Sequence, residues 1–148
     1  MTEEVLVRIK GLQVMAQEEE DEVEIITSGK YLKKGDRHYI SYEEVVEGME
    51  GTIRNMIKLD PERLEVTKKG ITNVHMMFEK DKKNLSYYDT PYGNLLVGIM
   101  ATSIDVKDSE EDLDIVVNYV LDINYEHMAD CTINMNITSK KNQDFHLN

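Results

Sequence analysis

Apolar residues recur at every second position along most of the chain, the period of a strand with one buried face. Val5, Val7 and Ile9 lie opposite Leu6, Arg8 and Lys10. After Gly11 the apolar set moves to Leu12 and Val14, a one-residue slip that predicts a β-bulge. Val23, Ile25, Thr27, Gly29 and Tyr31 form the next face, and Lys34-Gly35-Asp36 supplies a hairpin turn. Three more faces come next: His38, Ile40 and Tyr42; then Ile53, Asn55, Ile57 and Leu59; then Leu64 and Val66. Val74, Met76 and Phe78 make another. Turn chemistry separates them at Gly48 and Gly51, at Asp60-Pro61-Glu62-Arg63, at Gly70, at Asp81-Lys82-Lys83-Asn84 and at Thr90-Pro91-Tyr92-Gly93-Asn94. Longer strands are predicted over 95–106 and 115–127. The second places Ile115, Val117, Tyr119, Leu121, Ile123 and Tyr125 on one side. A last strand covers 132–138. One stretch is in conflict, because Ser41 with Glu44 forms a capping box and Tyr42, Val45, Val46 and Met49 fit helical spacing. The strand is preferred there because the segments on both sides alternate.

About ten strands at hairpin spacing imply antiparallel neighbours, since a parallel return needs a longer crossover. A meander of that length removes its edges by closing into a barrel. The expected fold class is therefore all-β, an antiparallel meander closed into a barrel of about eight to ten strands. That width permits a cavity. No repeat or linker divides the chain, so residues 1–139 are expected to form one domain, followed by a polar tail at 140–148.

Composition narrows the chemistry. The 148 residues carry a formal charge of −12, with no Trp and two Phe. Such a surface repels phosphate backbones and offers few rings for base stacking, so nucleic acid is not expected as a partner. Lys30, Lys33, Lys34 and Arg37, then Lys68 and Lys69, then Lys80, Lys82 and Lys83 lie in turn-like stretches and are expected to be solvated. The longest apolar run, residues 95–101, is far shorter than a membrane span. The acidic start lacks signal-peptide character, and Cys131 stands alone, so a cytoplasmic location is expected.

Catalytic and metal patterns are missing. His38, His75, His127 and His146 lack metal-ligand spacing, although strand pairing could bring His38 to His75. Cys131 alternates with Ile133, Met135 and Ile137 and is expected to be a buried small hydrophobe, with His127 as a weak partner. Asp105, Asp108, Glu110, Glu111 and Asp112 lack the spacing and glycine of a calcium loop. No catalytic residue, metal or cofactor is assigned. Polar groups among inward positions could instead orient a ligand buried by apolar walls. The candidates are Tyr31, Tyr42, Asn55, Tyr88, Thr102 and Tyr119.

Several patches, in their order, carry a resemblance. They are His38-Tyr39-Ile40-Ser41-Tyr42-Glu43-Glu44, Val74-His75-Met76-Met77-Phe78-Glu79-Lys80 and Tyr88-Asp89-Thr90-Pro91-Tyr92-Gly93, then Ala101-Thr102 and Tyr119-Val120-Leu121-Asp122-Ile123-Asn124. Together they resemble the YwiB-like family of small bacterial proteins. The resemblance implies a calycin-like β-barrel, the architecture shared by lipocalins and fatty-acid-binding proteins, and brings no catalytic role. At Lys69-Gly70 the chain departs from the arginine common in that family. The leading expectation is a small apolar or amphipathic ligand bound in the barrel interior. The alternative is a protein–protein interaction module, or a homodimer, using outer positions such as Leu6, Leu32, Met77, Met100 and Val116. An enzyme using Tyr42, Asn55 and Thr102 ranks last.

Overall fold

The computed structural model describes residues 1–11, 24–45, 48, 50–70, 73–90 and 93–140. Every element among them is a strand: β1 (Glu4–Lys10), β2 (Glu24–Lys34), β3 (Arg37–Val45), β4 (Thr52–Asp60), β5 (Arg63–Gly70), β6 (Val74–Glu79), β7 (Lys83–Thr90), β8 (Gly93–Asp108), β9 (Asp112–Ile123) and β10 (Glu126–Ser139). They form one sheet in the order β6-β5-β4-β3-β2-β1-β10-β9-β8-β7. All nine ladders are antiparallel. The result is a nearly closed ten-stranded barrel. Residues 41–45 continue β3, so the helical spacing there is not used.

The first and last strands are partners, with Val7 opposite Ile137 and Ile9 opposite Met135. The sheet's two edges are β6 and β7, which are consecutive in sequence across Lys80, Asp81 and Lys82. Their meeting is local. Lys82 N donates to Glu79 O at 3.3 Å, and Asn84 Nδ2 donates to Met77 O at 3.3 Å. β7 begins at Lys83 opposite Met100, so Ala101 keeps a free side, and its carbonyl accepts Asp81 N at 2.9 Å. The turn thus ties β6 to β8 as well as to β7, and beyond it the two edges share no ladder among the described residues. Asp81 sits at φ 61°, a left-handed conformation that short polar side chains tolerate.

Alternation sets the inward rows. His38, Leu59, Leu64 and Phe78 stand side by side on β3 to β6, as do Ile40, Ile57, Val66 and Met76. These aliphatic residues and Phe78 are at most 1% exposed, so no water-sized void touches them. Phe78 meets Tyr119 edge-on across the seam between β6 and the β7–β9 wall, with centroids 5.0 Å apart and an interplanar angle of 75°. The inward side chains form one contiguous buried cluster, so packed side chains occupy the region expected to hold a cavity.

Three local expectations need correction. The predicted strand 115–127 is broken by a two-residue turn at Asn124 and Tyr125, with φ of 53° and 71°. Both central residues have positive φ, as a type I′ hairpin requires. Tyr125 is consequently 75% exposed rather than inward. No glycine marks this turn, and apolar alternation runs through it unbroken. β10 accordingly starts at Glu126 and absorbs the break as a bulge between His127 and Ala129. The turn expected at Asp81–Asn84 is tighter, since Lys83 and Asn84 already pair with β8. The bulge expected at Leu12 and Val14, the helical alternative at Val46 and Met49, Pro91 and Tyr92, and the tail from residue 141 lie outside the described residues. No helix long and apolar enough to cross a membrane occurs among the described residues.

Candidate binding site

The first inward polar cluster lies at the barrel end that carries the β2–β3 and β8–β9 turns. Tyr31, opposite Ile40, and His38, opposite Lys33, are diagonal neighbours across that hairpin, and the Tyr31 hydroxyl lies 2.7 Å from His38 Nδ1. The hydroxyl donates when the ring proton is on Nε2. Nε2 in turn faces Asp108 Oδ2 at 3.8 Å, and Lys33 Nζ donates to that same oxygen at 3.2 Å. An Asp–His–Tyr line invites comparison with a nucleophilic relay, but burial pushes the Tyr31 hydroxyl up, and Asp108 adds to that shift. A nucleophile needs the opposite change. The cluster instead ties the two hairpins together.

Burial lowers the His38 pKa from its usual 6.5; Asp108 opposes the shift, Lys33 adds to it and Asp36 opposes it weakly. The folded chain therefore holds fewer protons than the unfolded chain over the interval between the two values. Stability is expected to be intact above about pH 6.5 and to fall as pH drops toward the lowered value. Urea unfolding at a series of pH values checks this, and His38→Gln should flatten that part of the profile.

A second cluster occupies a single row near the opposite end. Tyr42, Asn55 and Lys68 are direct cross-strand neighbours on β3, β4 and β5. Lys68 Nζ donates to Asn55 Oδ1 at 2.7 Å and to Glu44 Oε1 at 2.8 Å, while Asn55 Nδ2 donates to Glu44 Oε1 at 2.9 Å. Lys68 is only 6% exposed, against the expectation of a solvated turn lysine. Its place in phase with Leu64 and Val66 was visible in the sequence and points it inward. Glu44 is likewise in phase with Ile40 and Tyr42. Tyr42 is 4% exposed, and its hydroxyl has no hydrogen-bond partner among the described residues. Burial first, and Glu44 second, push its pKa far up. A buried hydroxyl left unpaired costs about 1–3 kcal/mol, so the site holds an unspent donor.

The remaining candidates are dispersed. Tyr119 packs on Phe78 in the core and hydrogen-bonds the Cys131 thiol, whose pKa burial nevertheless raises. A raised thiol is a poor nucleophile. His127 pairs with Asp130 at 3.0 Å on the exposed surface. Thr102, expected inward, is exposed: it is the extra residue of a bulge between Ala101 and Ser103, and its hydroxyl donates to Asn118 O. Tyr88 pairs with Leu95 through the backbone, and its side chain lies outside the described ones. His38 points inward and His75 outward beside Glu65, so strand pairing does not unite them. No group of three or more metal-ligating side chains occurs among the described residues.

Two spacious concavities lie on the outer face of the barrel. One of about 1310 Å³ runs from the rim at Tyr31, Lys33 and Asp108 over Leu32 and Tyr39 to Met56. Another of about 1070 Å³ continues over Arg54, Thr67 and Lys69, and the two share Lys30, Ser41 and Met56. Register explains the lining. Ser41, Met56 and Thr67 stand in one outward row beside Lys30, while Glu43, Arg54 and Lys69 stand in the next. The sequence separates these residues by up to 39 positions, so nothing local announced the surface.

A single antiparallel sheet curled into a nearly closed barrel, filled inside and grooved outside, defines a small all-β barrel protein. The chain belongs to the family described as "Domain of unknown function (DUF1934)", which matches residues 7–135. Among solved structures, the crystal structure of the ywiB protein from Bacillus subtilis is similar, with a TM-score of 0.67 over 92% of this chain and 89% of that one. At 20% identity the likeness concerns the fold. Among curated proteins none matches the sequence. The YwiB-like relationship suggested by the sequence patches holds, and so does the barrel.

Proposed function

We propose that this barrel is a non-catalytic interaction module that engages a protein partner through the outer face of β2 to β5. The observation that carries the proposal is the pair of joined concavities on that face, with Leu32 54% and Met56 37% exposed between charged side chains. A long open groove suits an extended chain better than a small molecule, which binding pockets normally enclose. The alternative of a small apolar or amphipathic ligand inside the barrel draws support from the unpaired Tyr42 hydroxyl. It has less room, because the aliphatic rows beside that hydroxyl are closed to water. A cytoplasmic location belongs to the proposal.

Site-specific photo-crosslinking in host cells tests the idea. Benzoylphenylalanine at position 56 is expected to give a discrete higher-mass adduct, whereas the same group at position 116, on the outer face of β9, gives none. Adducts from both positions, or from neither, overturn the proposal.

A further inference from the structure

Lys30, Arg54, Lys58 and Lys69 are exposed on the outer face of β2 to β5 and have no ion pair or side-chain hydrogen bond among the described residues. This is unexpected in a chain of net charge −12, where carboxylates are in excess. Two of the four have an acid as cross-strand neighbour, Glu43 beside Arg54 and Glu65 beside Lys58, though neither pair forms an ion pair among the described residues. Glu65 is held by His75 at 2.5 Å and Asp60 by Arg63 at 3.8 Å. Glu4 and Glu43 line the concavity that holds the four cations, while Glu3, Asp108 and Glu110 line the other, where Lys33 holds Asp108 at 3.2 Å. The part of the groove that holds the four is thus a cationic patch on an anionic protein, with four cations against two acids in its lining.

The spacing within β4 is informative. Arg54, Met56 and Lys58 are alternate residues on one strand and point to the same side, so they repeat about every 6.8 Å. An extended peptide repeats its own same-side residues at that interval. Lys69 stands directly beside Arg54 on β5, and Lys30 lines both concavities.

We infer that the partner segment is an extended acidic peptide with the pattern acid-x-apolar-x-acid, its apolar side chain on Met56 and its carboxylates on Arg54 and Lys58. This rests on the outer face being the contact surface. Charge complementarity selects the acids, and the half-exposed methionine between two cations selects the apolar residue at the centre. Nucleic acid fits less well, because the overall charge opposes a long polyanion and Tyr39 is the sole ring in the groove's lining besides the buried Tyr31 and Tyr42.

Fluorescence anisotropy of the full chain tests the inference with a fluorescein-labelled twelve-residue peptide of Glu-Ser-Leu-Ser repeats. Saturable binding is expected. It should weaken at least tenfold in the double variant Arg54→Glu/Lys58→Glu, and several-fold in the milder Arg54→Gln/Lys58→Gln, in case charge reversal perturbs folding. Lys107→Glu on β8 should leave it unchanged. A peptide with Lys for Glu should not bind. Equal binding of a twelve-nucleotide oligothymidine would mark a general polyanion surface and overturn the peptide assignment. Absence of peptide binding overturns it as well; if position 56 still crosslinks in cells, only the partner's chemistry is wrong and the contact face stands.

Discussion

Truncating Phe78 to alanine is expected to destabilise the fold by about 3–5 kcal/mol, the range for emptying a large aromatic from a packed core. Phe78 has no accessible surface, and its ring abuts Tyr119 at 5.0 Å. It also stands on β6, an edge strand whose single full ladder is to β5. The contact with Tyr119 therefore spans the seam between β6 and the strands beyond β7, where few backbone hydrogen bonds hold the barrel closed. A cavity at this point cannot be relieved by backbone pairing. Urea unfolding measures the loss, and Phe78→Leu should cost clearly less. A loss below about 1.5 kcal/mol for Phe78→Ala would mean that the seam collapses to refill the hole.

The second large effect concerns Lys68. Removing one partner of a buried ion pair costs about 3–5 kcal/mol because the other charge is stranded. Glu44 retains 25% side-chain exposure, which places Lys68→Ala at the lower end of that range or just under it. Asn55 would lose an acceptor interaction at 2.7 Å at the same time. In the double variant Lys68→Met/Glu44→Gln, most of the loss should be recovered, because the row then contains no charge to desolvate. A double-mutant cycle completed with the single variants Lys68→Met and Glu44→Gln, measured by chemical denaturation, gives the coupling between the two side chains. A double variant as unstable as Lys68→Ala alone would show that the ammonium supports Asn55 and the row geometry rather than Glu44.

These two sites differ in how far the sequence revealed them. Phe78 was legible, because Val74, Met76 and Phe78 alternate against polar neighbours and the pleat turns alternate residues to opposite faces. Lys68 was equally in phase, yet a charged residue beside Lys69 and Gly70 reads as part of a solvated turn. Composition outweighed periodicity there, and the periodicity was right. The reverse occurred at Tyr125, where alternation continued through a turn that only positive φ at two successive non-glycine residues discloses. Thr102 failed for a third reason. One inserted residue in β8 reverses the facing of the residues beyond it, and a bulge without glycine leaves no mark in composition.

The amino-acid order by itself determined the number and extent of most strands, their antiparallel pairing and the inward set on each, because side-chain alternation and short links are local properties of the backbone. It also determined that a meander this long would curl until β1 met β10. Only the tertiary structure decided where the barrel stays unsealed, how its interior fills, and which outward side chains become neighbours. Each of those depends on register between strands far apart in sequence, and register is set by the summed hydrogen bonding and packing of the whole sheet.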